Sequence, residues 1–157
     1  MKELSEEQAL NKAAAICSAS EHCEDEIRQK LMKWNLSEAA QTHILQRLIN
    51  DKFIDENRYC KFFINDKLHF NKWGKQKIYQ ALLIKRIPKN IIKEKLDAVD
   101  STDYEQILAE VLKHKRNSIN AKSDYERDMK LMRFAIGKGF EPDIIRKHLT
   151  NDIEEMD

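Results

Sequence analysis

The stretch that decides the fold is residues 78–96, IYQALLIKRIPKNIIKEKL. Its apolar residues recur at helical spacing on both sides of Ile87-Pro88, which is typical of two amphipathic helices joined by a short link. Proline is favoured in the first turn of a helix, because the N–H that it lacks would have no partner there. The stretch therefore predicts a tight helix pair, 74–86 and 88–98.

The same apolar pattern occurs in two other parts of the chain. Four positions of the pattern are apolar in all three copies, and the third of these falls at a predicted helix break each time. The three sets are Ile27, Leu31, Leu36 and Leu45; Ile78, Leu82, Ile87 and Leu96; and Leu131, Ala135, Phe140 and Leu149. The copies begin 51 and 53 residues apart. A repeat of this length is typical of stacked helical units and has room for one leading helix and one helix pair in each copy.

Helical periodicity continues through nearly all of the chain, and three Gly and two Pro among 157 residues are too few for a turn-rich β fold. We predict an all-α fold, an elongated, curved array of three tandem three-helix units. The predicted units are residues 1–52, 53–99 (the basic unit) and 100–157. The predicted helices are 6–18, 23–34, 37–50, 56–70, 74–86, 88–98, 102–116, 123–138 and 141–152.

The cysteines and the N-terminal sequence indicate a cytoplasmic protein with reduced thiols. Cys17, Cys23 and Cys60 are odd in number, and the polar, acidic residues 1–20 do not resemble a signal peptide. The sequence has no apolar run long enough to predict a membrane-spanning helix. His22 lies close to two of the cysteines, but a structural zinc site needs four ligands and no second pair is present. We expect no metal and no cofactor.

Enzyme motifs are absent from the sequence. It contains no Walker A loop, no Gly-x-Ser-x-Gly and no His-Glu-x-x-His, and its five histidines are scattered. The carboxylates lie among lysines on helix faces, as solvated helices require. The sequence therefore predicts a protein that is not an enzyme.

The charge is distributed unevenly along the chain. The formal net charge is −3 over residues 1–60, +8 over residues 61–95 and −4 over residues 96–157. Seven of the 12 aromatic residues lie between residues 53 and 79. Such a segment suits an anionic partner, either nucleic acid or an acidic protein surface. The alternative is a solvated lysine-rich face over an ordinary aromatic core.

Three stretches resemble a known family. Residues 22–31, HCEDEIRQKL, are similar to S-x-x-E-L-x-x-K-L, and residues 53–59, FIDENRY, to Y-L-(D/N)-D-x-R-F. The second similarity continues through residues 73–87, against G-x-x-R-I-x-x-x-L-x-x-K-G-I, and residues 139–145 resemble the closing R-G-(F/Y) segment. The chain is identified by these motifs as resembling the RecX family, the regulators of the bacterial recombinase RecA.

The chain departs from that pattern at several positions. Cys23 stands where the family has a Ser, so the second helix is expected to lose a capping hydroxyl, at about 1 kcal/mol. Lys77 replaces an Arg, and Arg86 stands where the family has a turn glycine. One residue more than in the family pattern lies between Ile64 and Gly74.

The resemblance implies a regulator that binds the RecA–DNA filament and mainly inhibits its ATPase, strand exchange and coprotease activities. Weak non-specific DNA binding is a further expectation, with no membrane partner and a monomeric state. The residues expected to bind the filament or its DNA are Arg58, Lys67, Lys72, Trp73, Lys75, Lys77 and Arg86.

Two of those residues have structural alternatives. Trp73 is as well suited to fill a core between units as to anchor an interface, and Arg58 is as well suited to pair with Asp55 or Glu56. Two rival functions also remain open. The first is a DNA-binding helical protein that uses the lysines of helix 88–98 for phosphate contacts. The second is a helical scaffold that binds proteins unrelated to recombination.

Overall fold

The computed structural model describes residues 3–155, with side chains through residue 149, and this part of the chain is helical throughout, with no β-strand. The α-helices are α1 Glu6–Ala19, α2 Glu24–Lys33, α3 Glu38–Asn50, α4 Glu56–Asp66, α5 Lys75–Ile84, α6 Lys89–Asp97, α7 Ser101–Arg116, α8 Asp124–Gly137 and α9 Pro142–Glu155. A π-helical segment, Lys67–Asn71, follows α4. The prediction of an all-α fold is confirmed. The outermost residues of the predicted units, 1–2 and 156–157, lie outside the described residues.

Side-chain caps explain where several of the helices begin. Ser5 accepts a hydrogen bond from the backbone of Gln8 at the start of α1, and Ser123 accepts one from Glu126 at the start of α8. At α2, the Glu26 carboxylate accepts a hydrogen bond of 3.1 Å from the backbone N–H of Cys23. The helix without the family's serine hydroxyl therefore keeps the reciprocal half of a capping box.

The three helix breaks of the sequence repeat have one and the same geometry. Asn35, Arg86 and Gly139 have φ angles of 60°, 62° and 102°, and each directly precedes an apolar residue of the repeat. The N–H groups of those apolar residues donate to carbonyls five residues earlier: Leu36 to Leu31 at 3.3 Å, Ile87 to Leu82 at 3.1 Å and Phe140 to Ala135 at 3.1 Å. This is the Schellman ending of a helix, repeated three times.

The chain forms two compact bodies. The N-terminal body comprises Met1–Phe63 with Leu82–Ile92. In it, α1 and α2 both pack against α3. The buried core consists of Ala9, Ala13, Cys17, Ile27, Leu31, Ile44, Leu45, Leu48 and Ile54. Burying each large aliphatic side chain contributes about 1.5–3 kcal/mol to stability.

The C-terminal body comprises Ile64–Ala81 with Lys93–Asp157. Helices α7, α8 and α9 pack against one another, and the π-helical segment packs on α7. Buried residues include Leu108, Leu131, Phe140 and Ile145, each with no exposed surface. The unit boundaries that the sequence predicts, after residues 52 and 99, stay a prediction.

The cysteines lie in the interior of the protein. Cys17, Cys23 and Cys60 are all buried and none forms a disulfide. Burial raises the pKa of Cys23 to about 12, so its thiol is uncharged at neutral pH. Within the described residues, no three His, Cys, Asp or Glu side chains are grouped to hold a metal ion. None of the helices in that part of the chain combines the length and the apolar character that a membrane span needs.

Candidate partner-binding surface

Two glycines bring the start of α5 into direct backbone contact with the turn between α8 and α9. The N–H of Gly74 donates to the carbonyl of Lys138 at 2.8 Å, and that of Gln76 to the carbonyl of Gly139 at 3.0 Å. A Cβ added to Gly74 would lie 2.2 Å from the carbonyl carbon of Gly139. Because no side chain fits between these backbones, the first turn of α5 is fixed against the residues before Phe140.

Tyr104 strengthens this junction from α7. Its hydroxyl accepts a hydrogen bond of 3.0 Å from the backbone N–H of Lys75 and donates to the carboxylate of Glu141. Burial, together with the Glu141 carboxylate, raises the pKa of Tyr104, so its hydroxyl keeps the proton that it donates. The Lys75 ammonium lies 4.8 Å from the centre of the Tyr104 ring.

Lysines line a cleft of about 630 Å³ beside this junction, formed by α5, α6 and the α8–α9 turn. Lys75, Lys77 and Lys93 contribute cationic side chains to it, and Asp97 and Glu141 contribute the carboxylates. Glu141 already accepts the hydrogen bond from the buried tyrosine. Three lysines against two carboxylates leave the cleft with a small excess of positive charge.

The ring of Trp73 organises two of the lysines. The ammonium of Lys67 lies 5.1 Å from the ring centre, and that of Lys77 lies 4.6 Å from it. These are cation–π distances. Trp73 is partly exposed, so it is not a fully buried core residue. It holds lysine side chains in place beside the cleft.

Lys138 joins these lysines from the α8–α9 turn. Its ammonium donates to the carbonyl of Asn71 at 2.7 Å. Burial lowers the pKa of Lys138, and the nearby charge of Lys77 lowers it further. The lysine cluster, as we call it, consists of Lys67, Lys75, Lys77, Lys93 and Lys138.

Most lysines of the cluster have no anionic partner in the part of the chain that the structure describes. Lys67 lies 3.7 Å from Asp66, but no described carboxylate forms an ion pair with Lys75, Lys77, Lys93 or Lys138. Lys72, another residue singled out from the sequence, differs in this respect, because its ammonium lies 3.4 Å from Glu110. Unpaired ammonium groups on a fixed scaffold suit the binding of an anionic surface.

Two of the predicted residues lie in the N-terminal body. Arg58 pairs with Glu21 and donates to the carbonyls of Lys52 at 3.2 Å and Phe53 at 3.3 Å. It therefore holds the turn that follows α3, and its ion-pair partner is neither of the two acidic residues that the sequence suggested. Arg86 is 83% exposed, with its Nε atom 3.8 Å from Asp25.

Sequence reasoning overlooked Lys138 altogether and considered Lys93 only as a phosphate contact of the rival DNA-binding function. Lys138 lies 43 residues beyond the end of the basic segment 61–95, so a local count of charge does not include it. One signal was present, since Lys138 occupies the position of the arginine in the closing R-G-(F/Y) segment. Lys93 is brought to the cleft by the short turn before α6.

The chain is similar to proteins of one known family. The families described as "RecX, second three-helix domain" and "RecX, third three-helix domain" match residues 55–96 and 102–149. The prediction of tandem three-helix units is thereby confirmed. The regulatory protein RecX of Clostridium beijerinckii is 32% identical over 150 residues, covering 92% of this chain and 70% of that protein. RecX of Clostridium botulinum is 33% identical over 125 residues, covering 78% and 58%.

Solved structures agree on the fold. The crystal structure of RecX from Lactobacillus salivarius superposes with a TM-score of 0.81 at 20% identity, covering 93% of this chain and 95% of that one. A second crystal structure, of a regulatory protein RecX, gives a TM-score of 0.79 at 19% identity, covering 90% and 71%. With helix arrangement, domain matches and a relative above 30% identity in agreement, the chain belongs to the RecX family of regulatory proteins.

Proposed function

We propose that this protein binds the RecA–DNA filament and restrains its ATPase, strand exchange and coprotease activities without catalysing a reaction itself. The observation that supports the proposal is the lysine cluster: aromatic rings or a backbone carbonyl hold four of its five ammonium groups, and most of the five have no carboxylate partner among the described residues. Positive charge of this kind attracts an anionic filament over long range and then forms charge-assisted hydrogen bonds on contact. We propose that it acts as a cytoplasmic monomer.

The cluster gives each lysine a defined position before binding. Lys75 and Lys77 leave the first turn of α5, which two backbone hydrogen bonds fix in place, and aromatic rings hold their ammonium groups. Ordering a free lysine on binding loses about 0.5–1.5 kcal/mol of side-chain entropy. Because these side chains are already partly ordered, less entropy is lost on binding, and more of the free energy of each contact contributes to affinity.

The test is a binding experiment with an activity readout. Labelled protein is titrated with RecA–ssDNA–nucleotide filaments, bare ssDNA and free RecA at near-physiological salt, while ATP hydrolysis is followed in the same samples. We expect tight binding to filaments, slower hydrolysis and weak binding to bare DNA. Equal affinity for bare DNA and filament, with hydrolysis unchanged, would contradict the proposal.

Charge reversal tests the surface itself. The variant Lys75→Glu/Lys77→Glu and the control Lys33→Glu/Lys113→Glu both change the formal net charge from +1 to −3. Lys33 and Lys113 are exposed and lie outside the cluster. We expect the first variant to bind filaments at least about tenfold more weakly, with a small change in melting temperature, and the control to bind like the wild type. Equal binding by both variants would show that the cluster is not the site.

Direct, non-specific DNA binding is the second candidate function. The observation in its favour is that Lys93 is exposed and lines the cleft, and that Lys89 is exposed about one turn earlier on α6. Lysines of this kind contact phosphates and carry little sequence information. If DNA alone is the partner, affinity for bare DNA falls steeply as salt rises and equals the affinity for filaments.

A further inference from the structure

The π-helical segment after α4 displays an aromatic side chain. The carbonyl of Lys67 accepts hydrogen bonds from the N–H groups of Lys72 and Trp73, so the turn is wider than an α-helical one. It lies where the chain has one residue more than the family pattern, and a π turn holds one additional residue. π turns are rare and occur often at functional sites. Within the turn, Leu68 is buried and Phe70 is 83% exposed.

The segment that carries Phe70 is firmly held. Leu68 is 2% exposed and anchors the segment in the C-terminal body, where the segment packs on α7. His69 Nε2 lies 3.4 Å from an oxygen of Asp103, and the carbonyl of Asn71 accepts the hydrogen bond from Lys138. An exposed ring on a fixed segment loses little freedom on binding, which is the property of an interface anchor.

The lysines nearest the Phe70 turn already have partners, because Lys72 pairs with a carboxylate and Lys138 donates to the carbonyl of Asn71. His69 lies beside Asp103, and the ammonium of Lys72 lies 3.4 Å from Glu110. Nucleic acid binding draws on unpaired cations around a stacking ring. An apolar ring whose neighbouring lysines are already engaged within the protein is instead suited to an apolar pocket on a protein.

We infer that Phe70 is an aromatic anchor that inserts into an apolar pocket on a protein partner. The inference rests on the proposed function, in which that partner is a recombinase protomer of the filament. The lysine cluster then supplies long-range attraction, and Phe70 supplies short-range affinity by leaving water on contact. Phe70 belongs to no buried core, so its removal tests binding without emptying the interior.

The experiment compares Phe70→Ala, Phe70→Tyr and the control Tyr125→Ala for filament binding, bare ssDNA binding and melting temperature. Tyr125 is also an exposed aromatic of the C-terminal body, at 75%. We expect Phe70→Ala to weaken filament binding at least about tenfold, mainly through faster dissociation, with the melting temperature unchanged. Phe70→Tyr keeps the ring and should retain most of the affinity, and Tyr125→Ala should bind like the wild type.

Salt dependence separates this contact from the lysine cluster. The loss in Phe70→Ala should persist as salt rises, whereas the loss in Lys75→Glu/Lys77→Glu should shrink because charge is screened. If the wild type binds filaments and Phe70→Ala binds equally well, the inference is wrong and the proposed function stands. If Phe70→Ala weakens bare ssDNA binding to the same degree, the partner is nucleic acid and the inference is overturned. If the wild type does not bind filaments, the proposed function itself fails.

Discussion

Replacing Gly74 by alanine should break the backbone contact between the start of α5 and the α8–α9 turn, which positions the lysine cluster. The added Cβ would lie 2.2 Å from the carbonyl carbon of Gly139, 2.3 Å from the nitrogen of Phe140 and 2.4 Å from the Gly139 oxygen. All three are backbone atoms, which cannot rotate away as a side chain can. Since non-bonded carbon atoms sit best at about 3.5–4.0 Å, the two segments must separate by roughly an ångström or more.

The magnitude follows from what the separation breaks. The hydrogen bonds from Gly74 to Lys138 and from Gln76 to Gly139 are 2.8 and 3.0 Å long. Each contributes about 0.5–1.5 kcal/mol net, and lost packing adds to this, so we expect a loss of about 2–4 kcal/mol in the free energy of unfolding. For a chain of this length, such a loss lowers the melting temperature by roughly 5–15 °C.

Gly137→Ala is the matched control. A Cβ at Gly137, the last residue of α8, meets nothing within 4 Å. Alanine is a better helix former than glycine, so this variant should be as stable as the wild type or more stable by up to about 1 kcal/mol. Thermal and urea unfolding followed by circular dichroism compares the two variants. If Gly74→Ala unfolds like the wild type, or if both variants lose the same stability, the reasoning from backbone contact is refuted.

Two further predictions concern the N-terminal body. Arg86→Gly should raise the free energy of unfolding by about 0.5–1 kcal/mol, because glycine adopts a φ of 62° without strain; an unchanged or lower urea midpoint would contradict this. Burial, followed by the charges of Glu24, Asp25 and Asp55, raises the pKa of Glu56 to about 7. The folded state therefore holds that proton more tightly than the unfolded chain does, and the free energy of unfolding falls as the pH rises from about 4.5 to 7. Glu56→Gln should therefore be more stable than the wild type by about 1–3 kcal/mol at pH 8, with the gap closing below pH 5; an equal gap in urea midpoint at both pH values would exclude Glu56 as the cause.

The helix breaks could be predicted from the sequence, but their backbone conformation could not. The apolar residue after each break, such as Ile87, is visible as a repeat, because it packs back onto the helix that it ends. Gly139 and, more weakly, Asn35 indicate a positive φ by their residue type. Arg86 gives no such signal, and it adopts the same conformation because the packing on either side determines it.

The π-helical segment was beyond sequence reasoning. Helical periodicity predicted one continuous helix over 56–70, and α4 followed by the π turn occupies nearly that range. An added residue inside a helix shifts the apolar pattern by a fraction of a turn, which a short segment does not reveal. The motif spacing between Ile64 and Gly74 indicated an added residue but not how the backbone holds it.

The surface is composed of residues that are distant in sequence, and the glycines explain why it forms at all. A local count of charge finds Lys75 and Lys77, but Lys138 enters only through the backbone contact between Gly74 and Gly139. Neither backbone segment of that contact has room for a side chain. The two glycines are therefore part of the binding surface, because they position its lysines even though they carry no side chain that could contact a partner. A variant that separates the segments should therefore weaken filament binding while every lysine is still present, and charge and backbone packing are two parts of one site.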